Sequence, residues 1–295
     1  MPSDTTYGKF SKSFKVDVTT ADTSIGATGS HCILQTIESS YIHHSGWDYT
    51  SSSSKITLSF WARSVKAGDY CVNLQATDAT RYFVAQYTLV ANTWKHVEVV
   101  VPGNSDLVFN DDNGEGLQVR WMLSAGDDRN DATADTWYNP GSDFDQTTNT
   151  QVNFFDSTDN NFFLTGVQLE VGETATDFEH LPFDVQFQRC ERYFQVIARV
   201  SDATSSDLHY IATGALYQAD QVLGVAHFQT TMRAAPTITI RSGSIYYAFS
   251  RNQVADYFDN LIGYGRSPRN CLIYQDNANI SGTIGHGGAM WCNKR

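Results

Sequence analysis

The stretch Lys55-Ile56-Thr57-Leu58-Ser59-Phe60-Trp61-Ala62-Arg63-Ser64 decides the fold class. Ile56, Leu58, Phe60 and Ala62 fall at every second position, with Thr57, Ser59, Trp61 and Arg63 between them. A period of two matches the pleat of a strand, whose successive side chains point to opposite faces. The segment therefore reads as a strand with one face buried and Trp61 on the other. Val72, Leu74 and Ala76 repeat the pattern beyond the Ala67-Gly68-Asp69 turn, and Val97, Val99 and Val101 repeat it after Trp94. Leu117, Val119, Trp121 and Leu123 follow Gly114-Glu115-Gly116, and a last strand carries Phe163, Val167, Leu169 and Val171 on one side before Gly172. With no helical pattern between them, these strands predict an antiparallel jelly-roll sandwich.

Composition agrees with a mainly β protein. The 295 residues are 41% hydrophobic, 13% aromatic and only 18% charged. Few Lys and Glu beside many Tyr, Phe, Thr and Val favour strands. The net charge of −12 works against a polyphosphate partner, since cationic contacts supply most nucleic-acid affinity. Membrane insertion is not expected either, because no stretch approaches the roughly 18 apolar residues that a spanning helix needs. The N-terminus, Met-Pro-Ser-Asp-Thr-Thr-Tyr-Gly-Lys-Phe, lacks the apolar core of a signal peptide. Cys32, Cys71, Cys190, Cys271 and Cys292 are odd in number and without CxxC spacing. They read as reduced thiols of a protein made in a reducing cytoplasm.

Charge also places a boundary. Residues 1–180 carry a net −14 and residues 181–295 a net +2, and the change falls at Leu181-Pro182. Proline removes a backbone donor and pushes its predecessor to extended geometry, so two domains, 1–180 and 181–295, are expected. The second opens with Phe183, Phe187, Cys190 and Phe194, spaced as one apolar stripe of a short helix. Strands follow at Tyr210–Tyr217, Val222–Phe228, Thr237–Ile240, Ile245–Phe249 and Leu272–Tyr274, giving a second small β-rich domain.

Four elements carry a family resemblance. Lys55–Ser64 resembles the "ITLSFWxxS" strand of carbohydrate-binding-module-like jelly rolls. Thr165-Gly166-Val167-Gln168-Leu169-Glu170-Val171-Gly172 with Ala175-Thr176-Asp177-Phe178-Glu179 is similar to a "TGVQLEVGxxATxFE" signature. Arg189-Cys190-Glu191-Arg192-Tyr193-Phe194 resembles "CQRYY", and Met232-Arg233-Ala234-Ala235-Pro236-Thr237 matches "MRAAPT". In this order they resemble structural proteins of tailed bacteriophages, over about Lys12 to Ile240. The resemblance implies a non-enzymatic protein on the exterior of the particle, as tail fibre or head decoration, made in the host cytoplasm. It also implies self-association, most simply as a homotrimer, docking on other virion proteins, and contact with host surface glycans. The alternative is a glycan-binding or receptor-binding lectin-like module with no structural role.

Candidate sites follow from residue chemistry. Sugars stack on exposed aromatic faces, so Trp61, opposite the buried face of its strand, and Trp137 and Tyr138, in the Trp137–Gly141 loop, are the glycan-binding candidates, with core packing or an intersubunit contact the simpler account of Trp61. Arg189 and Arg192, three apart on one helical face, join Tyr193, Tyr246 and Tyr247 as assembly candidates. The acidic sandwich is expected to face solvent or host, with the near-neutral second domain facing other subunits. The run Asp106, Asp111, Asp112, Glu115, Asp127, Asp128, Asp131 and Asp135 offers oxygens for a structural Ca²⁺ but lacks the EF-hand order, and reads as a solvated acidic face. His43 and His44, read as neighbours on a strand, point to opposite faces and make a poor metal pair. Asp127 and Asp128 are a pair of the kind that glycoside hydrolysis uses, but sequence spacing gives no distance between them. No GxSxG, P-loop, HExxH or GxGxxG is present, and no catalytic residue, cofactor or metal is expected.

Overall fold

The computed structural model describes residues 10–140, 144–199, 209–276 and 279–292. The chain divides into two compact units, Met1–His180 and Leu181–Arg295. Unit 1 holds β1 (Phe14–Asp17), β2 (Ser30–Glu38), α1 (Ser39–His43), β3 (Lys55–Ser64), β4 (Gly68–Ala76) and β5 (Arg81–Leu89). It continues through β6 (Lys95–Pro102), β7 (Glu115–Ala125), β8 (Trp137–Tyr138) and β9 (Asn161–Val171). All ladder pairs are antiparallel, in two sheets of order β1-β9-β3-β6 and β2-β7-β4-β5-β8.

That order identifies the architecture. The chain crosses between sheets so that its last strand lies between the first and third of one sheet, and β7 lies between β2 and β4 of the other. Two interlocked Greek keys of eight strands make a jelly roll, and β8 adds a short edge strand. The inner faces meet in one core containing Ile56, Leu58, Phe60, Val72, Leu74, Val97, Val99, Leu117, Val119 and Trp121. These are the positions that alternation marks as buried, so the period-two pattern and the tertiary packing agree.

Parity breaks once, in β9. Opposite β3 the register shifts between Ser59 and Trp61, and Gly166 sits there with a φ of 59°. A glycine in the left-handed region lets one extra residue enter a strand, and the bulge swaps the faces on either side of it. Phe162 and Leu164 therefore point into the core, while Phe163 turns outward beneath the Arg63 guanidinium, 5.2 Å from its ring centre. The expectation that Phe163 shares a face with Leu169 is corrected by this bulge.

Trp61 needs a second correction. It is only 4% exposed, although it lies opposite the core face of β3. Its ring is 5.1 Å from that of His96. The chain after β9 folds back over this outer face: Glu179 N donates to Gln168 Oε1 (2.8 Å), and Thr176 donates to the Glu170 carboxylate. Phe10 packs on Gly166 and, edge-on, against Phe178 at 5.0 Å. A third layer covers the face that strand periodicity alone assigns to solvent.

Unit 2 contains α2 (Phe183–Glu191), β10 (His209–Gln218), β11 (Gln221–His227), β12 (Tyr247–Arg251), β13 (Val254–Phe258), β14 (Ile262–Tyr264), β15 (Asn270–Asp276) and β16 (Gly287–Cys292). Its seven strands form one antiparallel sheet, β13-β12-β16-β10-β11-β15-β14, with Leu216, Val222, Phe249, Phe258, Ile273 and Met290 in the core. Residues 237–240 are not a strand and enter no ladder, yet Ile238 and Ile240 pack on that core. The strand expected from Ile245 begins at Tyr247, because Ile245 is held in a turn with a φ of 57° and its N–H donates to Asp259 Oδ1 (2.7 Å). Asn252 and Gln253, with φ of 41° and 64°, close the β12–β13 hairpin; positive φ at both positions is the type I′ signature. Gln253→Gly is expected to keep the register and leave stability level or higher by up to ~1 kcal/mol, since only glycine adopts that backbone without strain. A urea titration that shows loss of stability would overturn this.

Candidate functional site

Alternation in β4 and β7 sends a polar set to the outer face of the five-stranded sheet. Leu117, Val119 and Trp121 enter the core, so Gln118 and Arg120 face outward; Leu74 does the same for Asn73 and Gln75. Register then gathers them, with Asn73 opposite Arg120 and Gln75 opposite Gln118 on one side. Leu34 and Thr36 of β2 stand opposite Arg120 and Gln118 on the other side.

Arg120 is the hub of this face. Its guanidinium donates to the side-chain oxygens of Asn73 (3.4 Å), Gln75 and Gln118, and lies 5.7 Å above the Tyr82 ring. Gln118 Nε2 in turn donates to Glu115 Oε2 (2.8 Å). A cation held by three amide oxygens keeps its plane fixed, which preorganises the remaining N–H groups. Beside it Tyr82 packs on Tyr138 and Phe144, at ring separations of 6.0 and 5.0 Å. Burial pushes the Tyr82 phenol up and Arg120 pulls it back; burial and then Asp145 both push Tyr138 up. Both phenols are therefore neutral at ordinary pH. Residues 144–151 cover the β5 side of the face, where Thr148 donates to Gln86 Oε1 (2.6 Å) and Cys71 N donates to Gln151 Oε1 (2.7 Å). The β2 side carries half-exposed Leu34 and Thr36 and remains open.

The sequence candidates divide. Trp137 is 8% exposed; its ring packs on Phe83 at 5.5 Å and its Nε1 donates to Pro102 O (2.7 Å). It is a core residue of the edge strand β8, and neither its ring nor that of Trp61 is open for stacking. Gly141 of the same stretch lies outside the described residues. Tyr138 is half-buried at the rim of the Arg120 face, its hydroxyl donating to Asp145 O. In unit 2, Arg189 and Tyr193 are exposed, whereas Arg192 is half-buried and its carbonyl accepts from Arg233 N (2.9 Å). Tyr246 is half-buried over Gly243. Tyr247 is a core residue: its ring stacks on Phe258 at 6.2 Å and its hydroxyl donates to Arg241 O (2.6 Å). The exposure expected of Tyr247 is corrected, because strand pairing turns it inward.

The other candidates are accounted for locally. His43 and His44 end helix α1 rather than a strand, and bond separately to Phe109 O (3.0 Å) and Asp111 (2.9 Å). Asp106 pairs with Arg81 (3.1 Å) and Asp112 accepts from Gly114 N (2.8 Å). Among the described residues no group of three His, Cys, Asp or Glu is placed to hold a metal ion. None of their helices is long and apolar enough to cross a membrane. Sequence reasoning missed Arg120, although its signal was present: a cation and two amides on the polar side of two alternating strands.

No family model matches the chain, and no curated protein matches it. Among solved structures it is similar to a "Family 16 Carbohydrate Binding Module-2", at 14% identity over 55% of this chain and 78% of that one, with a TM-score of 0.26. It is also similar to the PBSX exported protein XepA, at 10% identity over 95% of this chain and 84% of that one, with a TM-score of 0.21. Strand order, and not these likenesses, is what makes unit 1 a jelly roll.

Proposed function

We propose that this chain is a non-enzymatic component of the exterior of a tailed-phage particle that contacts host surface glycan through the outer face of its five-stranded sheet. The observation that carries the glycan contact is the half-buried Arg120 guanidinium, held from below by the buried Asn73, Gln118 and Tyr82 and flanked by the partly exposed Gln75 and Tyr138. The partly exposed Arg120 guanidinium and Gln75 amide suit sugar hydroxyls, and a rigid scaffold limits the entropy lost on binding. The virion setting is supported by the four sequence elements given above. Self-association, as a homotrimer, is supported by the exposed side chains of Phe183, Phe187 and Phe194 along α2 and its continuation, in the half of the chain that carries almost no net charge.

Arg120→Ala is expected to weaken binding to an array of host-surface oligosaccharides at least about tenfold, roughly 1.4 kcal/mol, with the fold intact by circular dichroism. Unchanged binding would remove this face from the reading. A mass spectrum of purified particles tests the setting. If glycan binds but the protein is absent from particles, the free glycan-binding module is the right reading. Light scattering of the isolated protein at tens of micromolar should show an oligomer; a monomer would refute self-association.

A further inference from the structure

The outer face of the unit 2 sheet carries a second concave site, built from strands that lie outside the elements used above. β10 and β11 pair in regular register through Leu216 and Val222, and then Gln218 pairs with Gln221. Tyr217 is the extra residue of this bulge. Bulges re-aim a side chain out of the ladder, and Tyr217 is 62% exposed. Across the next ladder Leu223 stands opposite Tyr274, and on the edge strand Ile262 stands opposite Tyr274 and Tyr264 opposite Leu272. Val222, Cys271 and Ile273 point into the core, so Leu223, Tyr274, Ile262 and Tyr264 share the outer face.

These residues form an open pocket of about 490 Å³ lined by Tyr217, Gln221, Leu223, Ile262, Tyr264 and Tyr274. Tyr264 and Tyr274 meet at 88° with ring centres 5.9 Å apart, which makes a corner of two aromatic walls. The corner is held by polar bonds: Gln221 Nε2 donates to Tyr274 Oη (2.9 Å), which donates to Asp276 Oδ2 (3.0 Å). An amide both donates and accepts and a carboxylate has two oxygens, so both keep capacity for further partners.

We propose that this pocket binds a neutral saccharide. Aromatic walls offer their faces to the C–H side of a sugar ring, while Gln221 and Asp276 take its hydroxyls. Among the described residues no cation lines the pocket and a carboxylate stands at its edge, so phosphates, sulfates and acidic sugars are disfavoured. A wholly apolar ligand would take water from the Gln221 amide, which lines the pocket, without supplying a partner. The chemistry left is an uncharged polyhydroxylated ring. This site goes beyond the Arg120 face and stands whether or not that face binds glycan.

The test uses the full chain and a panel of neutral oligosaccharides, titrated against Arg120→Ala protein so that the unit 1 face is silenced. Arg120→Ala is expected to retain binding to at least one neutral oligosaccharide, and adding Tyr264→Ala or Tyr217→Ala should weaken it tenfold or more. Tyr217 is an exposed bulge residue, so its variant keeps the fold even if that of Tyr264 does not. Absence of saccharide binding by Arg120→Ala, or binding unmoved by both tyrosine variants, overturns the proposal. Capture of a proline-rich peptide with no saccharide bound would also overturn it. Loss on Arg120→Ala alone reports on the unit 1 face, and loss on the tyrosine variants alone reports on this one.

Discussion

Asp256→Ala is expected to destabilise unit 2 by about 3–5 kcal/mol, the cost of leaving a buried charge without its partner. Arg251 and Asp256 face each other across the β12–β13 hairpin, both almost fully buried. The Asp256 carboxylate also accepts from Ser281 N (3.0 Å). Gly282 packs directly against the guanidinium, since a Cβ there would lie 2.8 Å from Arg251 Nε. Removing the carboxylate strands a cation and an N–H together. Hydrogen exchange read by mass spectrometry should show lost protection in β12, β13 and β16, with β3 to β7 unaffected. Protection that stays at the native level in those strands would show that Arg251 finds other partners. Asp256→Asn, which keeps an acceptor for Ser281 N, should cost less.

Trp137→Ala is the second large effect, with an expected loss of about 3–5 kcal/mol, typical of an indole or phenyl ring removed from a core. The ring fills the space between Phe83 and Pro102, and its N–H bonds the Pro102 carbonyl. Denaturant unfolding of unit 1 should shift to lower midpoint with an unchanged slope, and Trp137→Phe should recover most of the packing but not the hydrogen bond. A fully stable Trp137→Ala protein would mean that the indole is surface-exposed after all. For the same reason, any loss of ligand binding in this variant reports on folding rather than on contact.

What the sequence shows and what it hides follow one physical division. Alternation is local, so β3, β4, β6 and β7 and their core residues are legible from their own side chains. The burial of Trp61 is not legible in its own strand, because the outer face of β3 and β9 carries a further layer of chain from before β1 and after β9, and no local pattern encodes a third layer. Trp137 is misread because Pro140 and Gly141 mark a loop, while its short strand exists only through pairing with Tyr82 and Phe83. Gly166 is visible as a glycine, but its face-swapping bulge emerges only against the register of β3. The Arg120 set needed two strands read together. The tyrosine corner needed a bulge at Tyr217 and an edge strand at Ile262–Tyr264, both products of long-range pairing.

The position of β9 has a consequence for how the chain is made. β1 has β9 as its sheet neighbour, and β9 is also what joins β1 to β3. As synthesis proceeds from the N-terminus, β1 has no ladder to enter until residues 161–171 have left the ribosome. The nascent jelly roll must wait with β3 bare along one side, open to pairing with neighbouring chains on the same message. Closing it requires contacts that span most of the unit, so its folding is slow by topology alone. The interval between the synthesis of residues 64 and 171 is therefore the period in which that β3 edge has no partner within the chain.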